Sequence, residues 1–254
     1  DLHSFPTRRS SDLHIEVAIY GANSAHWVLA DLAIMMAGMI SVPIYPTMPA
    51  DKLRYVVDHS DTRAVFADSA VLAIDALRDL LPDGMPVIAL DVASNLAADA
   101  DWDRIMTSTA ALQGCPVRGP QELWTIAYTS GTTGLPKGVM HSFATLPHSA
   151  AELLKVTGTG SSSRLFSYLP LAHVAERCVI EMQSFYTGAS ITFNRCRDSF
   201  LDDLRAVRPD FLFAVPRIWT NLKSQIVNEH GKDLWERLIS AYMEIGRASC
   251  RERV

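Results

Sequence analysis

Residues Tyr128 to Gly138 read Tyr-Thr-Ser-Gly-Thr-Thr-Gly-Leu-Pro-Lys-Gly. Glycines let a backbone pass close to a ligand and turn its N–H groups inward. The hydroxyls of Thr129, Ser130, Thr132 and Thr133 add donors, and Lys137 adds a compact positive charge suited to phosphate. The chemistry this mixture serves is polyphosphate recognition. The stretch is not a Walker A loop. Pro136 stands where the second glycine should be, and Gly138 where the Mg²⁺-binding Ser/Thr should be. A flexible surface turn is the plainer alternative.

A second string, Leu169-Pro170-Leu171-Ala172-His173-Val174-Ala175-Glu176-Arg177, puts one histidine at a strand-to-helix junction. Ligands gather at such strand ends in open α/β sheets, whereas helix capping is the commoner role for an isolated histidine there. Glu176 and Arg177 are adjacent, so on a helix they point in different directions and read as local salt-bridge partners. Val174, Cys178, Val179 and Met182 have the spacing of a packed helix face. A third string, Phe211 to Trp219, reads as a buried strand followed by a helix opening at Pro216.

The elements that must carry these strings alternate. Strands are expected at 15–20, 41–45, 63–67, 86–90, 123–128, 138–141, 164–169, 190–193 and 211–215. Helices are expected at 25–38, 51–60, 69–81, 101–112, 143–156, 173–186, 200–207, 216–227 and 234–245. The helix from Ala25 is apolar nearly all round and is expected to be buried; Asn23 or Ser24 can cap it. The fold class is therefore α/β, with βαβ units forming mostly parallel sheets and helices on both faces. Two subdomains are expected, 14–120 and 121–245. Residues 1–13 and 246–254 lack periodicity or an apolar face and are expected to be non-native or disordered tails.

The 254 residues are 48% hydrophobic and 20% charged with net charge −5, an ordinary globular composition without the basic footprint of a nucleic-acid binder. Four cysteines show no metal or disulfide spacing, which points to a reducing, cytoplasmic setting. The longest apolar run, 32–44, is too short to span a bilayer. There is no G-x-S-x-G elbow, no H-E-x-x-H and no G-x-G-x-x-G.

The loop at 128–138 resembles the phosphate-binding loop of the AMP-forming adenylating enzymes. The wording Ala172-His173-Val174-Ala175-Glu176-Arg177 and Val215-Pro216-Arg217-Ile218-Trp219 is most similar to their long-chain fatty acyl-CoA synthetase branch. The resemblance runs over about 15–245. It implies an incomplete large N-terminal domain of an enzyme that joins a fatty acid to ATP as acyl-adenylate and passes the acyl group to CoA. It further implies that Thr129, Ser130, Gly131, Thr132, Thr133, Gly134 and Lys137 hold the ATP phosphates. Thr132 or Thr133 would help with Mg²⁺, Lys137 would supply mobile charge, and His173 would orient or gate the carboxylate. One face of the helix after His173 would line an acyl tunnel. Val174 stands where amino-acid-activating relatives tend to place an aspartate, which favours an uncharged acyl chain. The partners implied are fatty acid, ATP and CoA, with membrane contact through the substrate.

The Gly-Tyr-Gly-x-Thr-Glu string of the family is absent, as is the later adenylation lysine, so the chain by itself is expected to be inactive. A noncatalytic nucleotide-binding module, a structural fragment and a ligase for an aryl or medium-chain acid are the alternatives.

Overall fold

The computed structural model describes residues 15–73, 77–91, 98–111, 113–114, 117–129 and 134–240. Two compact units divide between Phe211 and Leu212.

The first unit begins with β1 (Glu16–Tyr20), α1 (Ala25–Met36), β2 (Ile40–Ile44), α2 (Ala50–His59), β3 (Thr62–Ala67), α3 (Ser69–Leu72), β4 (Val87–Ala89), β5 (Ala100–Asp101) and α4 (Trp102–Ser108). The hairpin β6 (Leu123–Thr129) and β7 (Lys137–Ser142) follows. These seven strands form one sheet in the order β5-β4-β3-β1-β2-β6-β7. Neighbours are parallel except β6 and β7. The chain leaves β1 to one side and returns to β3 on the other, the doubly wound pattern that opens a crevice at the strand ends.

β1 shows why the sheet is covered twice. Ala18 and Tyr20 point into a cluster with Leu53, Val56 and Val57 of α2. Val17 and Ile19 point into another with Trp27, Ala30 and Ile34 of α1. Alternating residues are thus both apolar and both buried, as a sheet with helices on either face requires.

A second sheet is built by the parallel strands β8 (Arg164–Ser167) and β9 (Ser190–Phe193). α5 (Thr145–Thr157) precedes β8. Between the strands run α6 (Val174–Glu176), a π turn (Arg177–Glu181) and α7 (Met182–Thr187); α8 (Phe200–Val207) follows. Leu171 and Phe193 join the apolar cluster around α1, so the second sheet packs on that side of the first. In the second unit, α9 (Pro216–His230) opens on the expected proline, and residues 232–240 are helical. Lys223 lies over the Trp235 ring at 5.8 Å.

Several expectations change. The helix expected at 69–81 is α3 plus a 3-10 turn at Leu77–Leu80, with 74–76 outside the described residues. No strand forms at 211–215: Leu165 pairs with Phe211 in a single bridge and the ladder ends there. α1 is not buried all round, since Leu29 and Met36 are exposed on the side away from Trp27 and Ile34. The two-residue β5 was not foreseen; Asp101 at its end caps α4 by accepting from Arg104 N at 2.8 Å. The boundary expected at 120/121 lies between β5 and β6, two strands of the same sheet. The expected tails, 1–13 and 246–254, lie outside the described residues, as does the end of the helix expected at 234–245.

Candidate functional site

β6 is held firmly at its base. Thr125 is fully buried; its Oγ1 donates to Ser41 O at 2.9 Å and accepts from Arg177 Nη1 at 2.7 Å. Further along, the Tyr128 hydroxyl hydrogen-bonds with His59 Nδ1 at 2.7 Å, and burial pushes its phenol above the usual range. The Tyr128 ring also explains Gly138 across the hairpin. A Cβ there would stand 2.9 Å from Ile126 Cγ2 and 3.2 Å from Tyr128 Cζ.

At the open end of the hairpin Thr129 faces Lys137 across the ladder, and its Oγ1 reaches Lys137 O at 3.5 Å. Thr129, Gly134 and Lys137 are exposed, and Gly134 has φ +98°, a conformation that favours glycine. Ser130, Gly131, Thr132 and Thr133 lie outside the described residues.

His173 caps α6. Its backbone is extended (φ −91°, ψ 126°) and its Nδ1 accepts from Ala175 N at 3.1 Å. In the neutral ring that bond places the proton on Nε2, so the exposed edge is a donor suited to a carboxylate or phosphate oxygen. The capping reading and the site reading are therefore compatible in one side chain. Among the described residues no hydrogen bond or ion pair joins His173 to Lys137.

Two side chains fix the path into His173. Asn23, just after β1, donates from Nδ2 to Ser167 Oγ at 2.9 Å and to Leu169 O at 2.6 Å, and its Oδ1 accepts from Leu171 N at 2.8 Å. Ser24, not Asn23, caps α1. Glu176 is buried below the same loop, where its Oε1 accepts from Ser167 Oγ at 2.8 Å and Tyr168 N at 3.0 Å. Burial pushes its carboxyl up to about 7 against the lowering effect of these donors and of the Leu169 N–H.

Arg177 is not the partner of Glu176. It is fully buried and its guanidinium bonds Asp31 Oδ2 at 2.5 Å and Glu181 Oε2 at 3.0 Å. It also lies 4.3 Å from the centre of the Trp124 ring and 5.7 Å from that of Trp27. One side chain thus ties α1, β6 and the π turn together. The π turn buries Arg177, Val179, Ile180 and Glu181. Burial and the charge of Asp31 raise the Glu181 carboxyl, outweighing the attraction of Arg177. Nothing in the local pattern marks Asn23, Thr125 or Glu181 as part of the site. Asp31, a charge inside an apolar helix, was the one local hint.

Farther along the same helical segment, Met35, Trp124, Phe143, Pro147, Met182, Phe185 and Tyr186 line a nearly wholly apolar cavity of about 160 Å³. Val174 and Cys178 pack, half-buried, in the cluster with Met182, Leu146 and Trp124. The two threonines assigned to Mg²⁺ lie outside the described residues, and among the described residues no three His, Cys, Asp or Glu side chains gather to hold a metal. Nor is any helix among the described residues long and apolar enough to cross a membrane.

Comparison with known proteins gives one consistent result. The profile of the AMP-binding enzyme family matches residues 12–244. The chain is 32% identical over 248 residues to the peroxisomal long chain acyl-CoA synthetase 6 of Arabidopsis thaliana, covering 89% of this chain and 34% of that protein. Its fold is similar to that of a long-chain-fatty-acid-CoA ligase (FadD1) from Archaeoglobus fulgidus, with TM-score 0.72 and 20% identity over 84% of this chain and 42% of that one. It is also similar to the anthranilate CoA ligase AuaEII in complex with anthranoyl-AMP, with TM-score 0.69 and 21% identity over 77% of this chain and 39% of that one. The chain spans about a third of the length of the curated relatives it matches.

Proposed function

Because the chain belongs to the AMP-binding enzyme family, we propose that it is part of an AMP-forming ligase that activates a long-chain fatty acid to acyl-adenylate and then to acyl-CoA. The observation that carries this is the β6–β7 hairpin, with Thr129 and Lys137 facing each other at its exposed end and the Ser130–Gly134 stretch between them. A carboxylate must approach a polyanion in the first step, so catalysis leans on positioning and on fixed donors and cations. Lys137 supplies the cation beside the β- and γ-phosphates, and the Nε2–H of His173 orients the acid. Mg²⁺ enters as counterion of the ATP substrate, with Thr132 or Thr133 as its candidate ligands.

Chain length is read from the helix after His173. Met182 lies nine residues beyond His173, about 12 Å along the axis at 1.5 Å per residue once the extra residue of the π turn is allowed for. Val174 and Cys178 lie on the way, and the apolar cavity opens at Met182. A carboxylate at His173 with its tail in that cavity describes a long alkyl chain. A second reading rests on the cavity's size: a volume of this order holds a benzene-sized group. An aryl or medium-chain acid bound closer to His173 is therefore the alternative. The enzyme works on fatty acid, ATP and CoA in the cytoplasm, touching membranes through its substrate.

The test is ATP–pyrophosphate exchange and acid-dependent AMP release by the full-length protein, over long-chain, medium-chain, aryl and amino acids. Long-chain acids should lead. A lead for aryl acids moves the reading to the alternative, and a lead for any amino acid ends both. Residues 1–254 alone should release no acyl-CoA, because the adenine-binding string and the adenylation lysine are not in this sequence. Groups that act as a unit lose nearly all rate when members are removed.

A further inference from the structure

Ser167 to His173 could follow many paths between β8 and α6, yet two side chains, one buried and one half-buried, fix it. Glu176 lies on the inside, at 1% exposure, with Ser167 Oγ and the Tyr168 N–H both aimed at its Oε1. Asn23 lies on the outside and takes Ser167 Oγ, Leu169 O and Leu171 N. Ser167 is shared, accepting from Asn23 and donating to Glu176, so the three side chains form a chain of hydrogen bonds under the loop. Glu176 has no ion-pair partner within 4.0 Å among the described residues, whereas Asp31 and Glu181 nearby both engage Arg177. A buried carboxyl that serves backbone N–H groups and no cation is placed to hold a loop rather than to balance charge.

We propose that Glu176 and Asn23 are positioning residues that set the backbone from Ser167 to His173, so that the His173 ring faces the acid before the acid arrives. The inference rests on the reading of His173 as the acid-facing group. Pre-set geometry matters because a displacement of about 1 Å in an orienting group can cost about 100-fold in rate.

Steady-state exchange kinetics in the full-length protein, with amide hydrogen exchange at Tyr168 and Leu171, test it. Glu176→Ala and Asn23→Ala should each lower kcat/KM for the acid by about tenfold or more, while KM for ATP stays within about twofold of wild type. Glu176→Gln should recover most of the loss, because its amide oxygen can accept the two bonds that Oε1 now receives. Amide exchange at Tyr168 should quicken in Glu176→Ala, and at Leu171 in Asn23→Ala. Ser167→Ala, which removes the shared hydroxyl and little volume, gives the same reading if an alanine variant does not fold; it should reproduce part of the acid-specific loss. Equal losses toward ATP and acid, or no rescue by glutamine, overturn the proposal. If wild type shows no exchange activity but the two amides are protected and lose protection in the variants, the anchoring stands and the function reading falls. If the amides are unprotected in wild type, the anchoring itself is wrong.

Discussion

One loop follows β6 and carries Lys137; another follows β8 and carries His173. They differ in what holds them. At the first, Thr129 and Lys137 are exposed, and the hydrogen bond between them is long at 3.5 Å. At the second, Asn23, Ser167 and Glu176 tie down the backbone with bonds of 2.6–3.0 Å. Both spring from the same buried base, because Arg177 reaches Thr125 of β6 from the helix that His173 opens. The contrast separates two jobs. Among the described residues, the first leaves Thr129 and Lys137 open to solvent, whereas the second uses its polar groups to hold its own backbone.

Loss of the shared base should be the most damaging change. Arg177→Ala leaves Asp31 and Glu181 buried without their cation, and breaking a buried pair this way costs about 3–5 kcal/mol. Urea denaturation should show it, and a loss below about 1 kcal/mol would mean the two loops do not share a foundation.

The pH dependence should mark the second loop. The Glu176 carboxyl is raised from 4.5 to about 7 in the folded chain, so the folded state binds its proton more tightly than the unfolded state does. Its contribution is fully present below about pH 4.5 and is lost as pH rises through about 7, a change of about 3 kcal/mol. His141, whose imidazole is lowered by burial and by Arg177, works in the opposite sense, losing stability as pH falls below its usual range. The difference between wild type and Glu176→Gln, followed from pH 5 to 8, cancels the His141 contribution. A flat difference would show that Glu176 is not held in the folded chain as described.

Lys137→Ala probes the first loop. ATP–pyrophosphate exchange should slow roughly 10–100-fold, a loss of about 1.4–2.7 kcal/mol of transition-state stabilisation. The denaturation midpoint should not move, since the side chain is exposed. An unchanged exchange rate would remove Lys137 from the mechanism. Gly138→Ala, at the seam between loop and strand, should cost about 1–2 kcal/mol of stability by pushing Ile126 and the Tyr128 ring aside. A neutral result would mean that the hairpin is looser than its spacing implies.

How much of this could be read from the sequence depends on how far apart the partners are. The phosphate loop is one continuous string whose glycines, hydroxyls and lysine declare themselves together. The doubly covered sheet showed in the apolar run of β1, because both faces of that strand must be buried. The anchors of His173 are a different matter. Asn23 reaches Leu169 across 146 positions, and Arg177 reaches Asp31 across 146, distances over which local pattern carries no information. Phe211 to Val215 misled for the complementary reason. Its apolar character shows strand propensity, but a strand also needs a neighbour to pair with, and pairing stops at Phe211.

The π turn at Arg177–Glu181 adds a constraint of another kind. Its closing bond runs from Met182 N back to Arg177 O, five residues rather than four, so the turn winds in one residue more than an α-helix would. The extra residue is absorbed within the turn, so removing one residue there would restore a regular helix and leave the residues beyond it facing nearly as before. Met182, Phe185 and Tyr186 would then stay on the apolar cavity they line. What the extra residue changes is the turn itself, where five residues take the space of four and Arg177 and Glu181 are both carried inward.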